Sequence, residues 1–401
     1  MEHQPRATAK LSARRVAIGV LVGTVLVALA VVAFARVNLT YSMAAPEVPN
    51  EDSPEASEFL NLVGRLGNRR TEFAAQIDDE RWSALASDLR PVVADLDALA
   101  SLPEGRLRFA AQRYPNEPSR MKDGMSALRN LATGGVRRAL REGDCLQAAH
   151  VIVQALRIAS AVGGTGNRDD VLEFAVFSQA FSGPLAWMVD HCDHDATRRF
   201  LAEALPSIAQ GLPPLSDAVR REWAAVARAL DDPRWIDKLR DDYDFFGMRP
   251  GHGELKHWTV WAFERRKQVR ALEDRYEEIA AGADRPYLEV GPAIHDHEAP
   301  VLVARLDPGP EWREHAGRRA RAATRLLLVA LEMQTRAGVP VEEIPLDPLT
   351  GKPLLRRDDG VWYSLGVNGA DDGGKTTDLY GEEGDLIYRD YRNGKPAPWT
   401  P

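Results

Sequence analysis

"CLQAAHVIVQALRIASAVGGTGN", residues 145–167, is the stretch on which the fold turns. Leu146, Ala149, Val153 and Leu156 recur at intervals of three and four, which sets them on one face of a helix. The glycines of 163–167 then break the pattern. The same period appears upstream in Phe59, Leu62, Val63 and Leu66, and again through "DDERWSALASDLRPVVADLDALASLP" (78–103). There Pro91 is expected near a helix start, and Pro103 is expected to stop the run. Downstream, Val171–Val189 reads as a largely apolar helix. Glu173, Ser178, Gln179 and Pro184 interrupt it too often for a membrane span. Asp195 is placed to cap a helix carrying Phe200, Leu201 and Leu205, Pro206 and "GLPPLSD" punctuate, and Ser216 or Asp217 is the next candidate cap. Residues 55–245 are therefore expected to form an all-α domain of antiparallel helices joined by short connections. No exact repeat period is present, so a solenoid is not expected.

The 401 residues are 44% hydrophobic, enough to bury a sizeable core. The net charge of −8 argues against a dedicated nucleic-acid binder, which needs a basic face. That charge is uneven. Residues 1–36 carry Arg6, Lys10, Arg14, Arg15 and Arg36 against Glu2 alone, or +4, which leaves −12 for the rest. Between those basic residues lies "VAIGVLVGTVLVALAVVAFA", Val16–Ala35, twenty residues without a charge. As a helix it spans about 30 Å, the thickness of a bilayer's hydrocarbon core. The sequence thus predicts a basic cytoplasmic segment at 1–15, a transmembrane helix at 16–36 and a linker at 37–54, with the bulk of the chain outside the cytoplasm by the positive-inside rule. A cleaved signal peptide is the alternative, with Ser42 and Ala44 as small residues for cleavage, but its apolar core usually runs only ~7–15 residues.

Residues 246–310 change texture. A helix is expected at about Leu255–Ala280, followed by a long loop region. A last helix is predicted over Trp312–Ala337, with Ala320, Ala323, Leu327 and Leu331 on one face. "LLRR", "GVWYSLG" and "DLIYRDY" follow as strand-like pieces between glycine–aspartate turns, which suits a small antiparallel sheet. The fold class expected overall is mainly α: an N-terminal transmembrane helix, an all-α domain, and a small C-terminal α+β domain over 311–401.

The stretches "ATRLLLVALEMQTRAG", "PLDPLTGKPLLRR", "VWYSLGVNGADDGG" and "GDLIYRD" resemble, in that order, the C-terminal region of type II secretion major pseudopilins. A group of membrane-anchored bacterial proteins ends in the same way. The resemblance covers about the last ninety residues. It implies a pseudopilin-like C-terminal domain, a place in the bacterial inner membrane, and a calcium ion held by the loop. Two departures set limits. "LSARRVAIGVLVGTVL" has neither the glycine-ended leader nor the early glutamate of a pseudopilin, so a processed pilus subunit is not implied, and a large helical domain separates the anchor from the pseudopilin-like part.

The residues themselves suit that ion. Asn368, Asp371, Asp372 and Asp385 place hard oxygen donors around glycines 366, 369, 373, 374 and 384, and glycine lets carbonyls such as that of Leu365 turn inward. The spacing is not that of an EF-hand. A solvated turn capped by its own Asp and Asn side chains is the other reading.

Elsewhere the chemistry is sparse. Cys145 and Cys192 read equally as one disulfide in an oxidising compartment or as two buried thiols. "DHCDHD" (190–195) offers His191, Cys192 and His194 to zinc but lacks a fourth ligand, so a polar helix end is the better reading. His252, Glu254 and His257 do not form His-Glu-x-x-His, and His295, Asp296, His297 and Glu298 alternate in a proline-flanked loop. Trp258 and Trp261 are spaced to pack a helix. No nucleophile elbow, phosphate loop or dinucleotide-binding glycine pattern occurs. The expected function is a membrane-anchored binding or structural protein of the cell envelope, with an envelope protein as partner and a secretion or pilus-like assembly as the setting the resemblance suggests. A membrane-anchored hydrolase using the 295–298 loop, or a solute- or peptide-binding module, is the alternative.

Overall fold

The computed structural model describes residues 6–74, 79–103, 105–111, 119–163, 168–232, 254–290, 309–375, 384–389, 391–392, 395–396 and 399–401. They form a mainly helical chain with a small three-stranded antiparallel sheet near the C-terminus. The chain divides into two units, Met1–Ala44 with Leu230–Asp274 and Glu298–Asp307, and Ala45–Ala229 with Arg275–His297 and Pro308–Pro401.

In the first unit α1 (Arg6–Leu39) contains the whole uncharged run, and its large apolar side chains described between Val22 and Val37, with Val20 before them, are exposed. The early part of α11 (Glu254–Gly282) belongs with it. Arg265 on α11 donates to the Leu230 carbonyl at 3.1 Å and to Asp231 at 3.0 Å, at the end of α10 (Leu215–Asp231). A guanidinium there meets the negative end of the helix dipole.

The second unit is built from α2 (Pro54–Gly67), α3 (Arg70–Ala74), α4 (Asp79–Ala100), α5 (Lys122–Arg141), α6 (Cys145–Val162), α7 (Arg168–Val171), α8 (Glu173–His191) and α9 (Asp195–Gln210), most of α10, the end of α11, α12 (Tyr287–Val290) and α13 (Gly309–Arg336). Its helix starts follow ordinary capping chemistry. Ser53 Oγ accepts from the Ala56 N–H with Pro54 at the first helical position, and Asp144 accepts from the Gln147 N–H at 2.9 Å to begin α6. Phe59, Leu62, Val63 and Leu66 are all buried, as their spacing predicts. Where α5 crosses α2, a Cβ at Gly124 would lie 2.2 Å from the Val63 carbonyl oxygen, so this approach requires glycine. The segment before α2 is fastened along its length: Ala111 N donates to Pro49 O, Ala110 N to Asp52, and Ser53 N to Arg108 O.

Four expectations at prolines and caps are corrected. Pro91 lies inside α4, not at a start, because Leu89, Val92 and Leu96 on both sides of it are buried on one face. Pro206 lies inside α9, which runs on to Gln210 because Leu205, Ile208 and Ala209 are buried across it. A core-facing stripe on either side outweighs the one backbone hydrogen bond that proline removes. Asp195 is the first residue of α9 and makes no capping bond, while α10 is capped from afar, Asp284 accepting from the N–H groups of Leu215 and Ser216 at 2.6 and 3.2 Å.

The centre of this unit is α13. Ala322, Ala323, Leu326, Leu327, Leu328, Val329, Ala330, Leu331 and Met333 are buried around nearly its whole circumference, beyond the single face read from the sequence. It packs on α8 and α9 on one side and on the sheet on the other. The sheet comprises β1 (Leu355–Arg356), β2 (Trp362–Ser364) and β3 (Leu386–Ile387), with Leu355 opposite Tyr363 and Tyr363 opposite Ile387. A further pair, β4 (Tyr391–Arg392) and β5 (Lys395–Pro396), follows. Leu349, Leu354, Trp362, Leu386 and Tyr388 join one continuous hydrophobic core with the helices from α2 to α9. The last ninety residues therefore share a core with the helical part.

Candidate metal loop and the polar fastenings around it

Strand β2 alternates between two faces, and that alternation positions the loop. Trp362 turns toward α13, where its indole N–H donates to Thr335 at 3.0 Å and its backbone N–H to the buried Glu332 at 2.8 Å. Burial pushes the Glu332 carboxyl above the usual carboxylate range, and the Trp362 N–H pulls it partly back. Tyr363 and Leu365 face the other way and form a small cluster with Ile387. Beyond Leu365 the chain enters the glycine–aspartate loop.

Asp385 lies fully buried beneath that loop. Its Oδ2 accepts from the N–H groups of Asp372 at 3.0 Å and Gly374 at 2.6 Å, and its own N–H donates to the Lys375 carbonyl at 2.8 Å. Gly374 has φ of 74°, and a Cβ there would lie 2.3 Å from Arg357 Cδ, so only glycine brings this N–H to the carboxylate. The other oxygen, Oδ1, is buried with no hydrogen-bond partner among the described residues. Burial raises the Asp385 carboxyl above the ordinary range, the N–H of Gly374 opposes this, and the nearby charges of Asp372 and Asp371 raise it further.

The exposed donors bind the loop to itself. Asp371 Oδ1 accepts from the Tyr363 hydroxyl at 3.1 Å and the Gly373 N–H at 2.9 Å. Asn368 donates to Asp372 at 3.3 Å and accepts from the Ala370 N–H at 3.0 Å. The structure thus brings Asn368, Asp371, Asp372 and Asp385 into one loop, with the Leu365 side chain buried below it. Among the described residues, however, no three acidic, histidine or cysteine side chains converge closely enough to hold an ion. What fits a hard cation here is the oxygen-only donor set and the orphaned Asp385 oxygen in a negatively charged setting.

Two further carboxylates fasten the C-terminal part to the helices. Asp347 is buried and accepts from four donors: the Thr324 hydroxyl on α13 (2.7 Å), the Leu349 N–H (3.0 Å), the Thr350 hydroxyl (2.9 Å) and the Ser364 hydroxyl on β2 (2.7 Å). Asp190, at the end of α8, accepts from Arg389 at 2.6 Å, the Tyr388 hydroxyl at 3.1 Å and Arg336 at 3.3 Å. Neither role was legible in the sequence, where Asp347 appeared only within "PLDPLTGKPLLRR" and Asp190 within "DHCDHD".

Cys192 is bonded to Cys145 across 6.1 Å between Cα atoms, which withdraws its sulfur from any zinc site. His191 donates through Nδ1 to the Trp187 carbonyl at 2.9 Å and stacks on the Trp187 ring. His252 and residues 295–298 lie outside the described residues, as do the side chains of Glu254, His257, Trp258 and Trp261. The carboxyl of Glu173 is pushed up to about 7 by burial, and its Oε2 has no hydrogen-bond partner among the described residues. A groove of about 680 Å³ lies between α4, α5 and α6, floored by Leu131, Ala132 and Val151 and edged by Trp82, Arg90 and Arg138. It is open to solvent, not an enclosed apolar pocket.

No family model, no curated protein and no solved structure matches this chain.

Proposed function

We propose that the chain is a single-pass membrane protein of the cell envelope, anchored by α1, whose bulk lies outside the cytoplasm and serves a binding or structural role toward an envelope partner. The observation that carries this is the surface of α1. Val20, Leu26 and Phe34 are 65%, 60% and 52% exposed, and apolar residues point outward on every side of the helix. Water penalises such a surface and a bilayer stabilises it. Among the described residues the one helix long and apolar enough to cross by composition, Cys145–Val162, has over half its residues buried in the protein, which suits a core helix, whereas the shorter apolar stretch Val22–Val37 of α1 is largely exposed. The Cys145–Cys192 bond supports an oxidising compartment. Asp347 of the C-terminal part and Asp190 at the end of α8 are engaged as fastenings between that part and the helices, which suits a structural role. A reporter enzyme active only outside the cytoplasm, fused after residue 60, is expected to be active and to stay with the membrane fraction. A soluble product beginning near Ala45 would identify a cleaved signal peptide instead.

The resemblance to the pseudopilins extends this reading to calcium, with Asp385 as the central ligand and Asn368, Asp371, Asp372 and the Leu365 carbonyl around it. Calcium supplies the countercharge that the buried Asp385 lacks. An ion bound only by the folded chain stabilises it by about 2.7 kcal/mol at a hundredfold excess over Kd. The full chain is therefore expected to melt higher in calcium than in chelator, with magnesium a poor substitute. The sign with pH follows from Asp385. Its raised folded pKa means that its contribution in chelator is fully present below the unfolded carboxylate range and is lost as pH rises through the folded value. Calcium requires the ionised form, so its stabilising effect grows over that same rise. Asp385→Asn should remove both effects, and identical melting curves in calcium and chelator would reduce the loop to a turn.

A further inference from the structure

We propose that α1 and α11 together form a binding cleft for the headgroup of an anionic phospholipid at the extracytoplasmic face of the membrane; this rests on the anchoring reading above. The cleft, of about 750 Å³, lies within the first unit. Its floor is Ala33, Phe34 and Val37, at the C-terminal end of the apolar run. Its rim is Arg266, Lys267 and Arg270 on α11, all three exposed. With the run centred in a bilayer, Phe34 and Val37 stand at the depth where acyl chains give way to headgroups, and three cations stand beside them.

The neighbours agree with that depth. Tyr41, just beyond α1, has its ring under the Arg266 guanidinium at 5.4 Å and its hydroxyl toward Glu273 at 3.5 Å. A tyrosine with an apolar body and a polar tip is at home in the interfacial belt. Asp274 also lines the cleft and offsets one of the three charges. An apolar floor beside a surplus of positive charge is complementary to a phosphodiester carrying acyl chains. A free phosphate would use the cations and leave the floor in water. The occupant is therefore a lipid, recognised through a negatively charged phosphate.

The test uses the full chain purified in an uncharged detergent, offered phosphatidylglycerol or phosphatidylcholine with the same acyl chains, and reads retained lipid by intact mass. A basic residue near a lipid surface contributes about fivefold, so a rim of three cations and one carboxylate should favour phosphatidylglycerol by roughly tenfold or more. R266Q/K267Q/R270Q changes only exposed side chains and should bring the two lipids within about twofold while leaving the melting temperature unchanged. Equal retention of both lipids by the unaltered chain overturns the proposal. So does a preference that survives the triple substitution, which would assign it to Lys10, Arg14 and Arg15 before the span. Full displacement of the lipid by an equal concentration of inorganic phosphate overturns the lipid as occupant. The same mass spectrum separates this from the anchoring. A chain cut near Ala45 removes anchor and cleft together, whereas an intact chain without lipid preference overturns the cleft alone.

Discussion

Asp347→Ala is expected to lower the folding stability of the full chain by about 3–5 kcal/mol, the largest loss from any single side-chain truncation proposed for this protein. The carboxylate is buried and accepts four hydrogen bonds from three parts of the chain, α13, its own turn and β2. Alanine leaves the Leu349 N–H, which cannot rotate away, and three hydroxyls without their acceptor. Each bond to a charged group is worth about 1.5–3 kcal/mol, and partial rearrangement of the hydroxyls reduces the total. Asp347→Asn should lose roughly half as much, because its remaining oxygen keeps some of the donors. The check is the denaturant midpoint followed by helical circular dichroism. A shift worth less than about 1 kcal/mol in the alanine variant would show that this carboxylate fastens nothing.

Loss of the Cys145–Cys192 bond should cost nearly as much. The bridge closes a loop with a sequence separation of 47, for which the chain-entropy relation gives about 4 kcal/mol. Cys145→Ala, Cys192→Ala and the double substitution should all shift the denaturant midpoint by similar amounts, because each removes the same bond. Reductant should shift the unaltered chain just as far and leave the double variant where it was. Both sulfurs lie in the buried core, so they should react with a thiol label only after unfolding and reduction together. An unaltered chain that labels rapidly in denaturant without reductant carries no such bond.

The helices were legible in the sequence because burial imposes a period of 3.6. Phe59, Leu62, Val63 and Leu66 lie where that period places them. Ends were less legible. The prolines of α4 and α9 looked like boundaries because local chemistry disfavours them there, yet tertiary burial on both sides keeps the helices whole. Capping by Asp284 is invisible locally, since nearly seventy residues separate it from Leu215. The glycine–aspartate loop was readable as a loop, but among the described residues its acidic side chains bond to the loop's own N–H and hydroxyl groups and do not converge on one point. That Asp385 is fully buried, with one satisfied and one orphaned oxygen, required coordinates, as did the grip of Asp347 on two distant hydroxyls. The cysteine pairing was undecided in the sequence because it depends on a distance, which the structure supplies.

The place of α13 at the heart of the second unit sets the order in which the molecule can be made. Helices α8 and α9 end at His191 and Gln210, but the helix that covers them begins only at Gly309. A chain emerging at about 5–20 residues per second keeps those apolar faces waiting on the order of ten seconds. During that interval the Cys145–Cys192 bond can already close, because both partners precede the delay. It would hold α6 against the end of α8 as a half-built receptacle for a segment still to come. Termination between Gln210 and Gly309 would then release a product whose α8 and α9 lack their covering helix, a natural substrate for chaperones and proteases.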